Sequence, residues 1–170
     1  MKGIIEILVE EHDEILKFIE RLKSMTITFM ETNEIDLEEY RKGIHFIRTF
    51  ADRQHHQKEE KLLFKAMTDN LGAVAVKLIQ HGMLVEHDLA RYHVMELEKA
   101  VNAYEEEPNV NNKLDIIANS MGYYYLLKRH AEKENEVVYP FAEKHLPKEL
   151  MEQLDKEAIA YMEEIEKEQK

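Results

Sequence analysis

Cysteine is absent from this 170-residue chain. Disulfides, thiolate zinc sites, thiolate-held iron–sulfur clusters and cysteine nucleophiles are therefore excluded, and any bound metal must be held through nitrogen and oxygen. Glycine and proline are scarce, at five and three residues, in a chain that is 44% hydrophobic and 34% charged. That balance favours long helices over strands and turns. No apolar run approaches the roughly 20 residues that span a bilayer, and the acids in MKGIIEILVEEH come too early for a secretory signal. The expectation is one soluble, cytoplasmic domain with a real core. Basic residues are also short: 23 Lys and Arg against 35 acids give a net charge of −12. Nucleic acids and anionic membranes call for a basic footprint, which is missing here. Divalent cations suit an acidic chain, as does plain solubility.

What is present is organised around FADRQHHQKEEKLLF, Phe50 to Phe64. His55 and His56 are each followed four residues later by a glutamate, Glu59 and Glu60, and on a helix that spacing puts each pair on one face. Apolar residues elsewhere recur at helical spacing. A first helix carries Ile5, Leu8, Ile15, Ile19, Leu22 and Phe29, with His12 in the same stripe. Asp36 followed by Glu39 reads as a capping box opening a second helix, with Tyr40, Ile44, Ile47, Ala51, Leu62 and Ala66 inward. At about 100° per residue, His55 lies near the centre of that stripe, whereas His56 projects roughly 130° away. Glu59 is at the stripe's edge and Glu60 outside it. The inward pair is His55 with Glu59, and His56 and Glu60 read as surface groups or groups supporting a ligand.

Gly72 can end this helix and turn the chain. A third helix aligns Val76, Met83, Ala90, Val94, Leu97, Val101 and Tyr104 with His87 between Met83 and Ala90. After EEEPNVNN, a fourth carries Ile116, Tyr123, Leu127, Val137 or Val138, and Phe141. His130 and Glu134 repeat the His-x-x-x-Glu pairing, and Pro140 is expected to kink or end the helix. Beyond Pro147, Leu150, Leu154, Ala158, Tyr161 and Ile165 form an amphipathic helix that packs on the bundle or meets a partner, including a second copy of the chain.

Four long helices with short breaks predict an all-α, up-down-up-down four-helix bundle over 1–146, with 147–170 as an additional C-terminal helix of the same domain. At about 1.5 Å per residue, His12, His55, Glu59, His87, His130 and Glu134 all fall about 14–21 Å from helix ends that share one pole. Isolated core histidines are ordinary. Two inward carboxylates at the same height as four inward histidines are not, because burying unpaired carboxylates costs several kcal/mol each. Six such ligands exceed one tetrahedral zinc and suit two metals with bridging carboxylates, iron or manganese in particular, with zinc allowed by affinity.

The stretches HHQKEEKLLF, MLVEHDLARYH, LLKRHAEKENEVVYPFAEKHL and EEHDEI resemble the hemerythrin-like HHE cation-binding domain over roughly residues 4–146. By motif position the family's ligands fall on His12, His55, Glu59, His87, His130 and Glu134. The resemblance implies a four-helix bundle with a carboxylate-bridged, oxo- or hydroxo-bridged di-iron centre that meets oxygen, nitric oxide or peroxide. Oxygen-carrying members place two of five histidines one turn apart on the third helix. Met83 and Arg91 occupy that spacing around His87 here, so the chain looks closer to the branch with one histidine there, which includes proteins of iron–sulfur repair and nitric-oxide responses. That departure weighs against reversible oxygen carriage.

His12 and His55 would cap one iron, His87 and His130 the other, with Glu59 and Glu134 between. His81 is the only fifth-histidine candidate by height, though it projects away from the core; His93 reads as structural, and His45 and His145 lack ligand spacing. Tyr123 either packs in the core or lines the cavity, and Met83 either shields the site or packs. A reactive di-iron protein is the leading expectation. Iron storage, donation or sensing without catalysis is the second, and a structural bundle with zinc or no metal the third.

Overall fold

Short, helix-incompatible breaks separate long amphipathic runs, and the fold follows from that. The structure, a computed structural model, describes residues 1–170. Helix α1 is Ile4–Thr32, α2 runs 37–70, α3 72–106 and α4 110–145, and α5 is Lys148–Glu168. Each break has a local cause. Asn33 takes a left-handed conformation (φ 61°) and its N–H closes on the Phe29 carbonyl, ending α1. The Asp36 side chain then accepts from the Glu39 N–H at 3.2 Å, as the capping box predicts. Gly72, at φ 72°, makes the turn from α2 into α3, where a side chain would be strained. Asn109 caps α4 by accepting from the Asn112 N–H.

Cross-helix pairs run in opposite senses along neighbouring helices. Arg41 meets Glu105 and Arg48 meets Glu98 between α2 and α3; Glu20 meets Tyr124 and Asn33 meets Lys113 between α1 and α4. The bundle is all-α and up-down-up-down, with the extra C-terminal helix that the sequence predicts. Its apolar interior has two clusters. One gathers Ile15, Ile19, Ile44, Ala51, Ala90, Val94 and Leu127. The other gathers Leu8, Leu63, Phe64, Met83, Val138 and Ala142. On every bundle helix a histidine sits where the chain passes from one cluster to the other, so the polar residues form a layer between two apolar ones.

Three of the four helices change register at that layer. Segments Ile47–His56 and Glu59–Phe64 in α2, Ile79–Met83 in α3 and Glu134–Val138 in α4 are π-helical. An i→i+5 turn takes in one more residue than an α-turn, so a stripe projected at a constant α angle slips beyond it. Leu63 is buried where the expectation has Leu62, Ala75 and Ile79 where it has Val76, and Ala142 where it has Phe141. Pro140 does not end α4, which continues to His145. It follows directly on a π turn, where the ladder is already changing register and a missing N–H is tolerated.

Leu154, Ala158 and Ile165 of α5 are buried within the chain. The helix is also fastened by polar bonds: Asp155 Oδ1 accepts from the Ile4 N–H at the start of α1 (2.7 Å), and the Tyr161 hydroxyl donates to the Arg53 carbonyl. A carboxylate at a helix N-terminus satisfies a free donor and complements the dipole. Asp155→Ala should therefore lower stability by about 0.5–2 kcal/mol. Thermal unfolding followed by circular dichroism should show a midpoint lower by about 2–4 °C per kcal/mol lost. An unchanged midpoint would show that the contact contributes nothing.

Candidate metal centre

The polar layer is built on the two His-x-x-x-Glu pairs and one histidine from each remaining bundle helix. All six predicted residues, His12, His55, Glu59, His87, His130 and Glu134, are buried there. Ligand-type atoms of His12, His55, Glu59 and Glu134 lie within 4.8 Å of one another, and so do those of His56, Glu59, His87 and His130. Glu59 belongs to both groups. Its Oε2 lies 3.6 Å from His55 Nε2 and 3.3 Å from His87 Nε2. Glu134 Oε1 spans the groups in the same way, 3.3 Å from His12 Nε2 and 2.7 Å from His130 Nε2. Each carboxylate thus touches one histidine of each group.

His56 departs from expectation. It is 2% exposed, its ring stacks on His87 with centroids 3.9 Å apart, and it faces the centre together with His55. The π register of Ile47–His56 is the reason: the wider turn brings two consecutive residues inward, where a constant α projection sends the second outward. His81, the fifth-histidine candidate from sequence, is exposed and outside both groups, as are His45 and His145. His93 is partly buried against Asn119. Met83 is packed in the apolar cluster beneath the site.

The outward ring nitrogens are held in a repeated way. His55 Nδ1 meets Glu11 Oε2 at 2.8 Å, and Glu11 is held in turn by buried Lys58 and by Gln54. His87 Nδ1 meets Glu60, which takes Arg91; His130 Nδ1 meets Glu86, which takes Lys133. His12 Nδ1 meets the neutral Asn135 at 2.7 Å. Carboxylates behind imidazoles fix the tautomer and aim Nε2 inward. Tyr139 is a further residue that the sequence reading did not single out. Its hydroxyl donates to Glu59 Oε1 and lies 3.3 Å from His12 Nε2, with the two rings stacked. Its position five residues after Glu134, one π turn on, is the only sequence signal for it.

The donor set fits a metal pair. His55 Nε2, His56 Nε2, Glu59 Oε2 and both Glu134 oxygens are buried without a well-aligned hydrogen bond, and Glu59 Oε2 and Glu134 Oε1 face only histidine nitrogens. His87 Nε2 and His130 Nε2 face each other at 3.2 Å. Two nitrogens on one ion at bonds of about 2.0–2.1 Å stand about 2.9–3.4 Å apart. Protein groups alone leave these atoms unsatisfied at real cost, and cations answer all of them.

Protons otherwise occupy part of that place. Burial alone lowers the His130 pKa, but Glu134 and then Glu86 reverse this and raise it to about 10. His12 and His87 are raised as well, against burial, by Glu134 and Glu59. Glu134 is held well below the carboxylate range by His130 and His12, which outweigh its burial. Glu60 falls to about 2 beside His87 and Arg91 despite its burial. His56 goes the other way: burial and then the neighbouring rings push it well below 6.5, leaving it neutral.

A family model described as Hemerythrin HHE cation binding domain matches residues 3–142. Neither curated proteins nor solved structures gave a match.

Metal uptake at this layer must displace protons from the raised histidines, because a protonated imidazole is no ligand. Below their folded pKa the proton competes with the cation; above it the competition ends. Affinity of the metal-free protein for a divalent cation should thus climb with pH through neutrality toward about 10, the His130 value. Titration calorimetry in buffers of different ionisation enthalpy should register proton release on binding. A pH-independent affinity with no proton release would contradict the assignment.

Proposed function

The chain belongs to the hemerythrin HHE cation-binding domain family, and on that premise we propose that it holds two iron ions between its bundle helices and presents them to a small ligand such as oxygen, nitric oxide or peroxide. The observation that carries this reading is that Glu59 belongs to both histidine groups and Glu134 Oε1 reaches His12 and His130, with no well-aligned hydrogen bond to Glu59 Oε2 or to either Glu134 oxygen. His12, His55, Glu59, His87, His130 and Glu134 would be the ligands, with both carboxylates spanning the two positions. Iron held there would supply Lewis acidity and electrons to the small ligand. Manganese or zinc satisfies the same donor types, and the nitrogen-and-carboxylate mixture is what makes iron the leading choice.

The protein's own groups have definite tasks in this reading. Glu11, Glu60 and Glu86 orient His55, His87 and His130, and Lys58, Arg91 and Lys133 hold those carboxylates in turn. Tyr139 keeps its proton, because burial and the neighbouring Glu134 and Glu59 push its pKa well above 10. Its hydroxyl therefore stays a donor, given to Glu59 Oε1 on the His12 side of the centre. The apolar clusters on both sides shield the layer from bulk water. No helix is long and apolar enough to cross a membrane.

Metal analysis of anaerobically purified protein should find two irons per chain, and the absorption spectrum should change on admitting oxygen. Glu59→Ala should lose at least one iron equivalent; retention of both would defeat the shared-carboxylate assignment. Tyr139→Phe should keep both irons while shifting the spectrum of a bound small anion such as azide, because only a hydrogen-bond donor is lost. Turnover of peroxide or nitric oxide by the loaded protein separates a reactive centre from iron storage, donation or sensing.

A further inference from the structure

His56 stands in the same relation to the centre as the histidines the family motif accounts for. It is buried, its Nε2 points into the layer without a partner, and that nitrogen groups with Glu59, His87 and His130. On its outer side Nδ1 faces Asp52 at 4.0 Å, too far for a direct hydrogen bond, and Asp52 accepts from Arg91 at 2.9 Å. A carboxylate thus stands on the outer side of His56 as it does behind His55, His87 and His130, though without their direct bond. A histidine kept only for packing has no need of an unsatisfied nitrogen beside two others, since an apolar ring of similar size would avoid its desolvation cost. With His87 and His130 facing each other at 3.2 Å and His56 stacked on His87, three imidazoles surround one position.

We propose that His56 is a seventh ligand, completing one metal position with His87, His130 and Glu59 and making the two positions unequal. The inference rests on the two-metal reading above. With Glu59 and Glu134 spanning both positions, one then has three neutral nitrogens and the other only two, from His12 and His55, with the Tyr139 hydroxyl alongside. Nitrogen-rich surroundings favour borderline cations such as cobalt or zinc, and carboxylate-rich surroundings favour harder ones such as manganese. The His56 position should accordingly fill first with cobalt(II).

The test is a cobalt(II) titration of metal-free protein followed by its visible absorption, with His56→Ala and His56→Gln beside the native chain. Native protein should take up two equivalents in two resolved steps. Both variants should lose the tighter step, by about tenfold or more in affinity, and keep the other. A cavity of about 90 Å³ bounded by Ile47, Ala90, Val94 and Tyr123 adjoins His56. Added imidazole should enter it and restore the lost step in His56→Ala. Proton NMR of the native cobalt protein needs no variant: five ligated histidines give five strongly shifted, solvent-exchangeable ring N–H signals. Four signals, or variants with both steps at native affinity, would overturn the role of His56. Fewer than two equivalents in the native chain, or two retained by Glu59→Ala, would instead overturn the two-metal reading beneath it.

Discussion

Two carboxylates at the centre of a helical bundle set the terms for everything around them. Glu59 and Glu134 are fully buried, and a buried carboxylate without counter-charge costs several kcal/mol. Around them the charge alternates outward. Imidazoles come first, then Glu11, Glu60 and Glu86, then Lys58, Arg91 and Lys133. Each shell offsets the one inside it, and the outermost basic groups, apart from Lys58, reach water. Apolar clusters above and below this layer keep its dielectric low, which strengthens every interaction within it.

Backbone geometry is part of the same device. The π turns occur in α2, α3 and α4 at or beside the layer, and α1, which contributes a single histidine, has none. Such turns are less favourable than α-turns and recur at functional sites. Here they bring consecutive residues inward, as with His55 and His56. They also place Tyr139 over Glu59 from a position outside the His-x-x-x-Glu repeat.

Much of this was legible in the residues. The helices, the Asp36 cap, the turn at Gly72 and the common height of six ligand-type residues follow from period, capping chemistry and rise per residue. Those depend on local sequence alone. His56, Leu63, Ala75 and Ala142 escaped because a constant α projection fails beyond each π turn, and nothing in a local apolar pattern announces one. The partners behind the ligands escaped for a different reason. Glu11 lies 44 residues from His55 and Glu86 lies 44 from His130, so their pairing depends on which helices adjoin and at what rotation.

The sequence by itself determined the class of the fold and the kind of site: absence of cysteine restricted the donors to nitrogen and oxygen, and helical spacing put two carboxylates and four histidines on inward faces at one level. Tertiary structure decided how many histidines face that level, that each carboxylate reaches a histidine of both groups, and that a phenol joins them. Those outcomes turn on a few degrees of helix rotation and a register change of one residue. They arise when helices pack against one another around buried charge, and no single helix specifies them.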